Sequence, residues 1–281
     1  MSASMNGKTI LITGATNGIG LVAARTLAER GAQTVIVSRS AEKCAQVAEQ
    51  IKHETGNLQV EYIAADLSTR DGVQHAAHEF KKRHPRLDVL LNNAGALFMS
   101  RQLSADGIEM TFALNHLNYF LLTVLLLDTL KASGPARIVN VSSNAHRGGK
   151  INFDDLQMEK SYSGMGAYSQ SKLANILFTY ELAHKLEGTR VTANTLHPGF
   201  VNTGFGKNNG GVVKFGMGLL LPMQRNPKEG AQTSIFLASS PDVEGVTGKY
   251  FEDSKAVPSS PASYNHAAAE RLWQVSLEMI A

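Results

Sequence analysis

Two side chains that could act as an acid–base pair lie four residues apart near the middle of this 281-residue chain. A phenol, Tyr168, and an amine, Lys172, share one face of a helix at this spacing. A tyrosine hydroxyl ordinarily titrates near pH ~10, and a neighbouring positive charge favours the phenolate, so we expect Lys172 to lower the pKa of Tyr168. The pair predicts a proton donor and acceptor. The alternative is a half-buried tyrosine followed by a solvated lysine.

A glycine-rich turn connects the first predicted strand to the first predicted helix. A helical pattern over residues 21–30 follows a β-prone run at residues 9–13, and the connection reads Gly14-Ala15-Thr16-Asn17-Gly18-Ile19-Gly20. Glycines let a backbone approach phosphates closely, and a helix N-terminus attracts their negative charge. The turn therefore predicts a pyrophosphate site, and the alternative is a merely tight strand-to-helix connection.

The second predicted strand, residues 33–38, leads directly into Arg39. A domain specific for NAD usually carries an acidic residue there, which binds the ribose hydroxyls. An arginine can instead pair with a 2′-phosphate through its planar guanidinium, with help from Ser38 and Ser40. The sequence therefore favours NADP(H) over NAD(H), unless Arg39 is a surface residue on a loop.

Strand-like and helical patterns alternate along the rest of the chain. The strand-like runs are 60–65, 87–91, 137–141 and 191–196, and the helical patterns are 41–53, 69–82, 105–130 and 173–186. This alternation predicts an α/β protein with a mainly parallel sheet and helices on both faces. We expect a single doubly wound domain of the Rossmann type over residues 1–281.

Small or polar residues stand where these predicted strands end. In chain order the ends read Asp66-Leu67, Asn93-Ala94-Gly95, Ser142-Ser143 and His197-Pro198-Gly199. Small residues at the carboxyl ends of parallel strands leave room for a ligand in the crevice there. An amide also interrupts an apolar helix at Asn115, where it lowers stability unless it is hydrogen-bonded.

In their order, these motifs resemble those of the short-chain dehydrogenases/reductases. The likeness extends from Lys8 to the C-terminal helix around Trp273. An insertion over residues 144–165 makes the gap before Tyr168 longer than the short spacing common in the family. That insertion is similar to the one in the retinol-dehydrogenase-like branch.

The resemblance implies roles for individual residues. Tyr168 would transfer a proton, Ser143 would help to polarise a carbonyl oxygen, and Lys172 would also hold the nicotinamide ribose. Asn115 would order a proton-supplying water, unless its amide has only a packing role. The implied cofactor-binding residues are Gly14, Thr16, Asn17, Gly18, Ile19, Gly20, Arg39, Asp66, Leu67, Asn93, Ala94, Gly95, Tyr168, Lys172, Pro198, Gly199, Val201 and Thr203.

These inferences predict reversible hydride transfer between NADP(H) and a lipophilic aldehyde or ketone, or the matching alcohol. The alternative is a regulatory protein that binds NADP but has little catalytic activity. The presence of Asn115, Ser143, Tyr168 and Lys172 together argues against that alternative. No metal is expected, since the cofactor carries the hydride and the histidines lack ligand spacing.

Composition narrows the classes of partner and compartment. The net charge is +3 and the basic residues are scattered, which does not favour a nucleic-acid partner. The single cysteine, Cys44, excludes an intrachain disulfide and fits a reducing compartment. The N-terminus is polar, and the apolar run at residues 119–130 looks too short to cross a bilayer. We expect a cytoplasmic protein without a transmembrane anchor, and homo-oligomerisation stays open.

The segment 204–225 follows the predicted nicotinamide contacts and mixes glycines with apolar side chains such as Phe205, Phe215 and Met217. This composition predicts a mobile flap with an apolar inner face, suited to covering a bulky, weakly polar substrate. The alternative is a core helix with a glycine-rich lead-in.

Overall fold

A computed structural model of the chain describes residues 3–199, 201 and 226–281. The predicted flap at 204–225 and the predicted cofactor contact Thr203 lie outside these residues. The strands are β1 (Thr9–Thr13), β2 (Gln33–Ser38), β3 (Val60–Ala64), β4 (Val89–Asn92), β5 (Ala136–Val141), β6 (Val191–His197), β7 (Tyr250–Glu252) and β8 (Lys255–Ala256).

The strands form one eight-stranded sheet in the order β3-β2-β1-β4-β5-β6-β7-β8. All neighbours pair in parallel except β7 and β8, which are antiparallel. The chain moves outward from β1 to β3 and then returns to place β4 on the other side of β1. Open sheets of this kind bind ligands beyond the carboxyl ends of the strands, at the point where the order reverses.

Helices connect the strands. They are α1 (Gly18–Glu29), α2 (Ala41–Thr55), α3 (Arg70–Arg83), α4 (Asn118–Ala132), α5 (Gly164–Lys185), α6 (Pro227–Ser239) and α7 (His266–Ile280). Local sequence explains several of their ends. The side chains of Ser40, Thr69 and Ser163 accept backbone N–H bonds at the starts of α2, α3 and α5, and Gly56 ends α2 at a φ of 72°.

Residues of the central strands pack into two cores, one on each face of the sheet. Leu11 and Leu90 share one core with Phe80, Phe120 and Phe178, which come from α3, α4 and α5. The other core joins strand residues such as Ile12 and Leu91 to side chains of α1, α2 and α6, namely Leu27, Ile51 and Ile235. Helices therefore cover both faces, and the predicted doubly wound fold is confirmed.

The predicted helical region at 105–130 begins later than its sequence pattern indicated. The structure has a helical turn at Met110–Phe112, a π-helical turn at Ala113–Leu117 and then α4, as one continuous helix from Met110 to Ala132. Its 23 residues are long and apolar enough to cross a membrane by length and composition. The apolar run at residues 119–130 is thus part of a longer helix, and its own length does not settle whether that helix spans a membrane. Because 72% of its most apolar window is buried inside the protein, the helix has the burial of a core helix.

A buried carboxylate, Asp88, joins the amino ends of β1 and β4. It accepts hydrogen bonds from Lys8 Nζ at 3.0 Å, from the backbone N–H of Thr9 at 2.9 Å and from Arg86 Nε at 2.9 Å. Burial raises the pKa of this carboxyl, but the hydrogen bonds from Arg86, Thr9 and Lys8 together outweigh it. The net effect is a lowered pKa.

We expect Asp88→Asn to lower the free energy of unfolding by about 1–3 kcal/mol, because the amide cannot balance the two cations. A carboxyl whose folded-state pKa is lowered stabilises the protein above its unfolded value of ~4, and this contribution disappears as the pH falls through the folded value. In urea unfolding, the gap between variant and wild type should therefore shrink below about pH 4. Glu49→Ala, which removes an exposed pair with Lys52, is the control. If both variants lost the same free energy of unfolding, the stabilising role assigned to Asp88 would be contradicted.

Candidate active site

Three of the predicted catalytic residues come together beyond the carboxyl end of β5. The phenol of Tyr168 and the side chain of Ser143 form a hydrogen bond. Lys172 lies one turn further along α5, with its Nζ 5.6 Å from the centre of the Tyr168 ring. That Nζ donates to the carbonyl oxygen of Val141 at 3.0 Å, while Ser142 Oγ donates to the carbonyl of Lys172 at 2.7 Å. The end of β5 and the start of α5 are thus joined at the site.

Burial controls the protonation of both titratable groups. It raises the pKa of Tyr168 to about 12, and the hydrogen bond with Ser143 acts in the opposite direction. Burial also lowers the pKa of Lys172 to about 7. The expectation that Lys172 holds the pKa of Tyr168 below its ordinary value is therefore wrong for this structure. Removal from water disfavours both the phenolate and the ammonium, and this effect is the larger one.

A second phenol, Tyr119, borders the lysine and was missed by sequence reasoning. Its ring centre lies 5.7 Å from Lys172 Nζ, and its side chain is fully buried. Burial raises the pKa of Tyr119 well above its ordinary value, so this phenol stays neutral. An aromatic face attracts an ammonium group, which favours the charged form of Lys172. The available signal was spacing, because residues 115 and 119 share a face of one helix.

Asn115 lies in the π-helical turn, and its amide is fully engaged. Its Oδ1 accepts from the backbone N–H of Ala96 at 2.9 Å, and its Nδ2 donates to the carbonyl of Ala96 at 2.9 Å and to Ser171 Oγ at 3.1 Å. A Cβ at Gly95 would lie 3.1 Å from Asn115 Oδ1 and 3.5 Å from Lys172 Nζ. Asn115 therefore fixes the turn after β4 against α5. Its predicted part in ordering a water stays a prediction.

Thr13 links the first glycine turn to the turn after β4, and the predicted set of site residues did not include it. Its Oγ1 accepts from the backbone N–H groups of Asn93 at 2.9 Å and Ala94 at 3.0 Å. In return, Asn93 Nδ2 donates to the carbonyls of Thr13 at 2.8 Å and Gly14 at 3.2 Å. The signal for Thr13 was its position at the end of β1, directly before the first glycine of the turn. The two turns form one rigid wall of the crevice.

The glycine turn has the backbone shape that a phosphate cradle needs. Gly14 and Gly18 adopt φ values of 67° and 55°, which favour glycine. A Cβ on Gly20 would lie 2.5 Å from both Gly14 O and Asn93 Nδ2. The first turn of α1 contains no acidic residue, and the side chain of Asn17 does not cap this helix. The N-terminus of α1 is therefore open to an anion.

Gly20→Ala provides a local test of this cradle. Replacing a helical glycine with alanine ordinarily stabilises a helix by about 1 kcal/mol. Here we expect destabilisation and at least about tenfold weaker NADPH binding, because the added methyl group collides with Gly14 and Asn93. Urea unfolding and fluorescence titration measure the two effects. Gly148→Ala is the control, because a Cβ on Gly148 would meet nothing within 4 Å. Gly188→Ala would not serve, because Gly188 has a φ of 79°. A stabilised Gly20→Ala that binds NADPH normally would refute the cradle.

Arg39 lies immediately after β2 and is exposed to solvent. Among the residues that the structure describes, it has no ion-pair partner. Next to it, Thr16 Oγ1 and Ser38 Oγ lie 3.1 Å apart and form a hydrogen bond between the glycine turn and the end of β2. Arg39 therefore follows a residue, Ser38, that is bonded directly to the glycine turn.

Asp66 and Leu67 follow β3. Asp66 Oδ1 accepts from the backbone N–H of Ser68 at 3.0 Å and from its Oγ at 2.7 Å, which closes a tight turn. Leu67 is buried in the core beneath α3 and α4. The structure thus gives Leu67 a packing role, and a contact from its side chain to a cofactor stays a prediction.

On the other side of the crevice, Pro198, Gly199 and Val201 follow β6. Gly199 has a φ of 86°. A Cβ on Gly230 of α6 would lie 2.5 Å from Val201 Cγ2 and 3.3 Å from Ile19 Cγ1. Val201 and Ile19, in the first turn of α1, therefore both lie against Gly230 of α6.

The described residues contain no group of three or more His, Cys, Asp or Glu side chains arranged to hold a metal ion. A partly buried phenol hydrogen-bonded to a hydroxyl, with an amine beside it, can transfer a proton to or from an oxygen atom. The family sequence model described as short chain dehydrogenase matches residues 8–211. This chain belongs to the short-chain dehydrogenase family.

Relatives of this short-chain dehydrogenase extend over nearly its full length. It is 44% identical to Retinol dehydrogenase 14 of Mus musculus, over 98% of this chain and 86% of the relative. It is also 44% identical to Retinol dehydrogenase 12 of Homo sapiens, over 99% of this chain and 88% of the relative. The predicted likeness to the retinol-dehydrogenase branch is thereby confirmed.

Solved structures share the fold. An uncharacterised protein from Mycobacterium Paratuberculosis superposes with a TM-score of 0.80 and 32% identity, over 99% of this chain and 95% of that one. RhlG of Pseudomonas aeruginosa, solved as a complex with NADP, superposes with a TM-score of 0.71 and 29% identity, over 88% and 95% of the two chains.

Proposed function

We propose that this short-chain dehydrogenase is an NADP(H)-dependent enzyme that transfers hydride between nicotinamide and a lipophilic aldehyde or ketone, or the matching alcohol. The observation that carries the proposal is the hydrogen bond between Tyr168 and Ser143 beside the buried amine of Lys172. A proton donor, an oxygen-binding hydroxyl and a basic group are thus within reach of one another in the crevice.

The residues of the crevice fit a dinucleotide that carries an additional phosphate. A Cβ at Gly14 or Gly20 would collide with the turn after β4, so glycine at both positions keeps the two turns packed together. The N-terminus of α1 favours the pyrophosphate charge. The exposed guanidinium of Arg39 suits a 2′-phosphate. The NADP complex of RhlG, a structural relative, supports this choice. When bound, the nicotinamide supplies or accepts the hydride.

The residues of this chain manage the proton. In the reducing direction Tyr168 donates its hydroxyl proton to the substrate oxygen, and Ser143 steadies that oxygen with a hydrogen bond. Because burial raises the pKa of Tyr168 to about 12, the phenol is protonated at neutral pH and can donate its proton in the reducing direction. Lys172, whose pKa is about 7, can return a proton to the phenolate at the same pH.

Two exposed methionines near the site support a lipophilic substrate. Met165 lies one turn before Tyr168 on α5 and is 50% exposed, and Met99 is 42% exposed. Gly164, which directly precedes Met165, packs against Met99, since a Cβ on Gly164 would lie 2.7 Å from the Cα of Met99. Methionine side chains adapt to irregular apolar ligands. The names of the retinol dehydrogenase relatives point to the same class of substrate.

NADPH consumption with a panel of aldehydes tests the proposal. The panel contains a homologous series of aliphatic aldehydes, a polyene aldehyde and a small hydroxylated sugar. We expect kcat/KM to rise up to about fourfold for each methylene group buried, from about 0.8 kcal/mol per group. Best activity on the sugar, or no activity with any aldehyde, would overturn the proposal.

We further propose that the protein is cytoplasmic, and we leave self-association as a question for measurement. Cell fractionation with and without carbonate extraction tests the compartment and any membrane attachment. Light scattering in solution gives the oligomeric state.

A further inference from the structure

We propose that Asn175 is a positioning residue, which aligns Lys172 and Asn115 by holding two backbone carbonyls. The inference rests on the proposed function, because it assigns a residue to the same site. Asn175 lies on α5 three residues after Lys172, so residues 168, 172 and 175 share one helix face. Its side chain is fully buried.

One amide group of Asn175 reaches two elements of the site. Its Nδ2 donates to the carbonyl of Asn115 at 2.9 Å and to the carbonyl of Val141 at 3.4 Å. The Val141 carbonyl is the one that also accepts from Lys172 Nζ, at 3.0 Å. The π-helical turn, the end of β5 and the face of α5 that carries the acid–base pair are therefore joined at this amide.

The orientation of the amide is fixed from its other side. His116 Nδ1 lies 3.3 Å from Asn175 Oδ1, and His116 Nε2 lies 3.0 Å from Ser276 Oγ. Because Oδ1 can only accept, Nδ1 must carry the proton and Nε2 must accept from the serine hydroxyl. Burial lowers the pKa of His116 to about 4, which keeps the ring neutral at physiological pH. His116 thus directs Nδ2 of Asn175 towards the two carbonyls.

The contacts of Asn175 indicate that it affects the alignment of Lys172 and Asn115. None of its hydrogen bonds goes to Ser143, Tyr168 or Lys172 side-chain atoms, so its loss removes no reacting group. The loss would leave the Asn115 carbonyl without this donor and free the π-helical turn to shift against α5. Misplacement of reacting groups by about 1 Å can reduce turnover about 10²-fold.

The test compares Asn175→Ala and Asn175→Asp with Thr179→Val. Aspartate keeps the size of asparagine but replaces the donor with an oxygen that faces two carbonyls. Thr179 is a matched control: it lies one turn further on α5, is equally buried, and bonds to Asn140 and to the carbonyl of Asn175. We expect both Asn175 variants to lose about 10- to 100-fold in kcat with KM for NADPH and aldehyde within about twofold. Thr179→Val should lower the melting temperature but keep kcat within about twofold.

A readout without turnover separates this inference from the proposed function. In protein labelled with ¹³C at lysine Cε, the Lys172 resonance is assigned by its absence in Lys172→Arg. We expect this resonance to move in Asn175→Ala and to stay in place in Thr179→Val, whether or not the correct substrate is known. If Asn175→Ala does not fold, Asn175→Ser provides the same comparison.

Three results would overturn the positioning role. They are an unmoved Lys172 resonance in a folded Asn175 variant, a loss of kcat in Thr179→Val equal to that in the Asn175 variants, and a rise in KM at constant kcat. An inactive wild type with a moved resonance would instead refute the proposed function alone.

Discussion

Tyr168→Phe is expected to reduce kcat by about 10²–10⁴-fold, the range that a positioned general acid contributes. Phenylalanine fills the same space but has no proton to transfer, and the hydrogen bond with Ser143 is lost. NADPH affinity should change by less than about twofold, since the ring still packs beside Lys172. Single-turnover kinetics give the rate, and a separate fluorescence titration gives the affinity.

Tyr180→Phe is the matched control for this experiment. Tyr180 lies on the same helix, α5, and its hydroxyl bonds to Ser259, away from Ser143 and Lys172. We expect it to keep kcat within about twofold. Retention of more than about 5% of wild-type kcat by Tyr168→Phe would remove this residue from the acid–base role.

Arg39→Asp should reverse or abolish the preference for NADPH. The change replaces a cation that pairs with a 2′-phosphate by an anion that repels it and can accept from ribose hydroxyls. A charge-assisted hydrogen bond is worth about 1.5–3 kcal/mol. We therefore expect the ratio of kcat/KM for NADPH to that for NADH to fall by at least about 10- to 100-fold. Initial rates with the two cofactors measure the ratio.

Arg190→Asp makes the same change of charge at the opposite end of the sheet. Arg190 directly precedes β6 and is exposed, whereas Arg39 follows the carboxyl end of β2. The cofactor ratio of Arg190→Asp should equal that of the wild type. A wild type that already prefers NADH, or an equal shift in both variants, would show that Arg39 does not select the cofactor.

The alternation of patterns was sufficient to predict the fold, because parallel strands buried on both faces read as continuous apolar runs. The run at residues 9–13 is β1 without a change of boundary. The glycine-rich connection was also predicted, although α1 begins within it at Gly18, three residues before the predicted helical pattern. The order β3-β2-β1-β4 then brings the turn after β1 next to Asn93. Local spacing and strand order together thus predicted the positions of most residues that border the crevice.

Other features depend on tertiary contacts that no local pattern reports. The π-helical turn at Asn115 exists because its amide bonds to Ala96 and Ser171, residues distant in sequence. The prediction that the pKa of Tyr168 lies below its ordinary value was wrong. The spacing revealed the neighbouring amine of Lys172 but not the burial that acts on both groups. The polar partners of the Asn175 side chain likewise come from two segments distant in sequence, residues 115–116 and Val141.

The most direct test of hydride transfer at this site is isotope transfer from NADPH that carries deuterium at both C4 positions of the nicotinamide. A lipophilic aldehyde is incubated with wild type or Tyr168→Phe, and the product alcohol is analysed by mass spectrometry. We predict that each molecule of alcohol made by the wild type carries a single deuterium on the former carbonyl carbon, and that Tyr168→Phe forms almost no alcohol. Alcohol without deuterium, or equal formation of labelled alcohol by both proteins, would contradict the account.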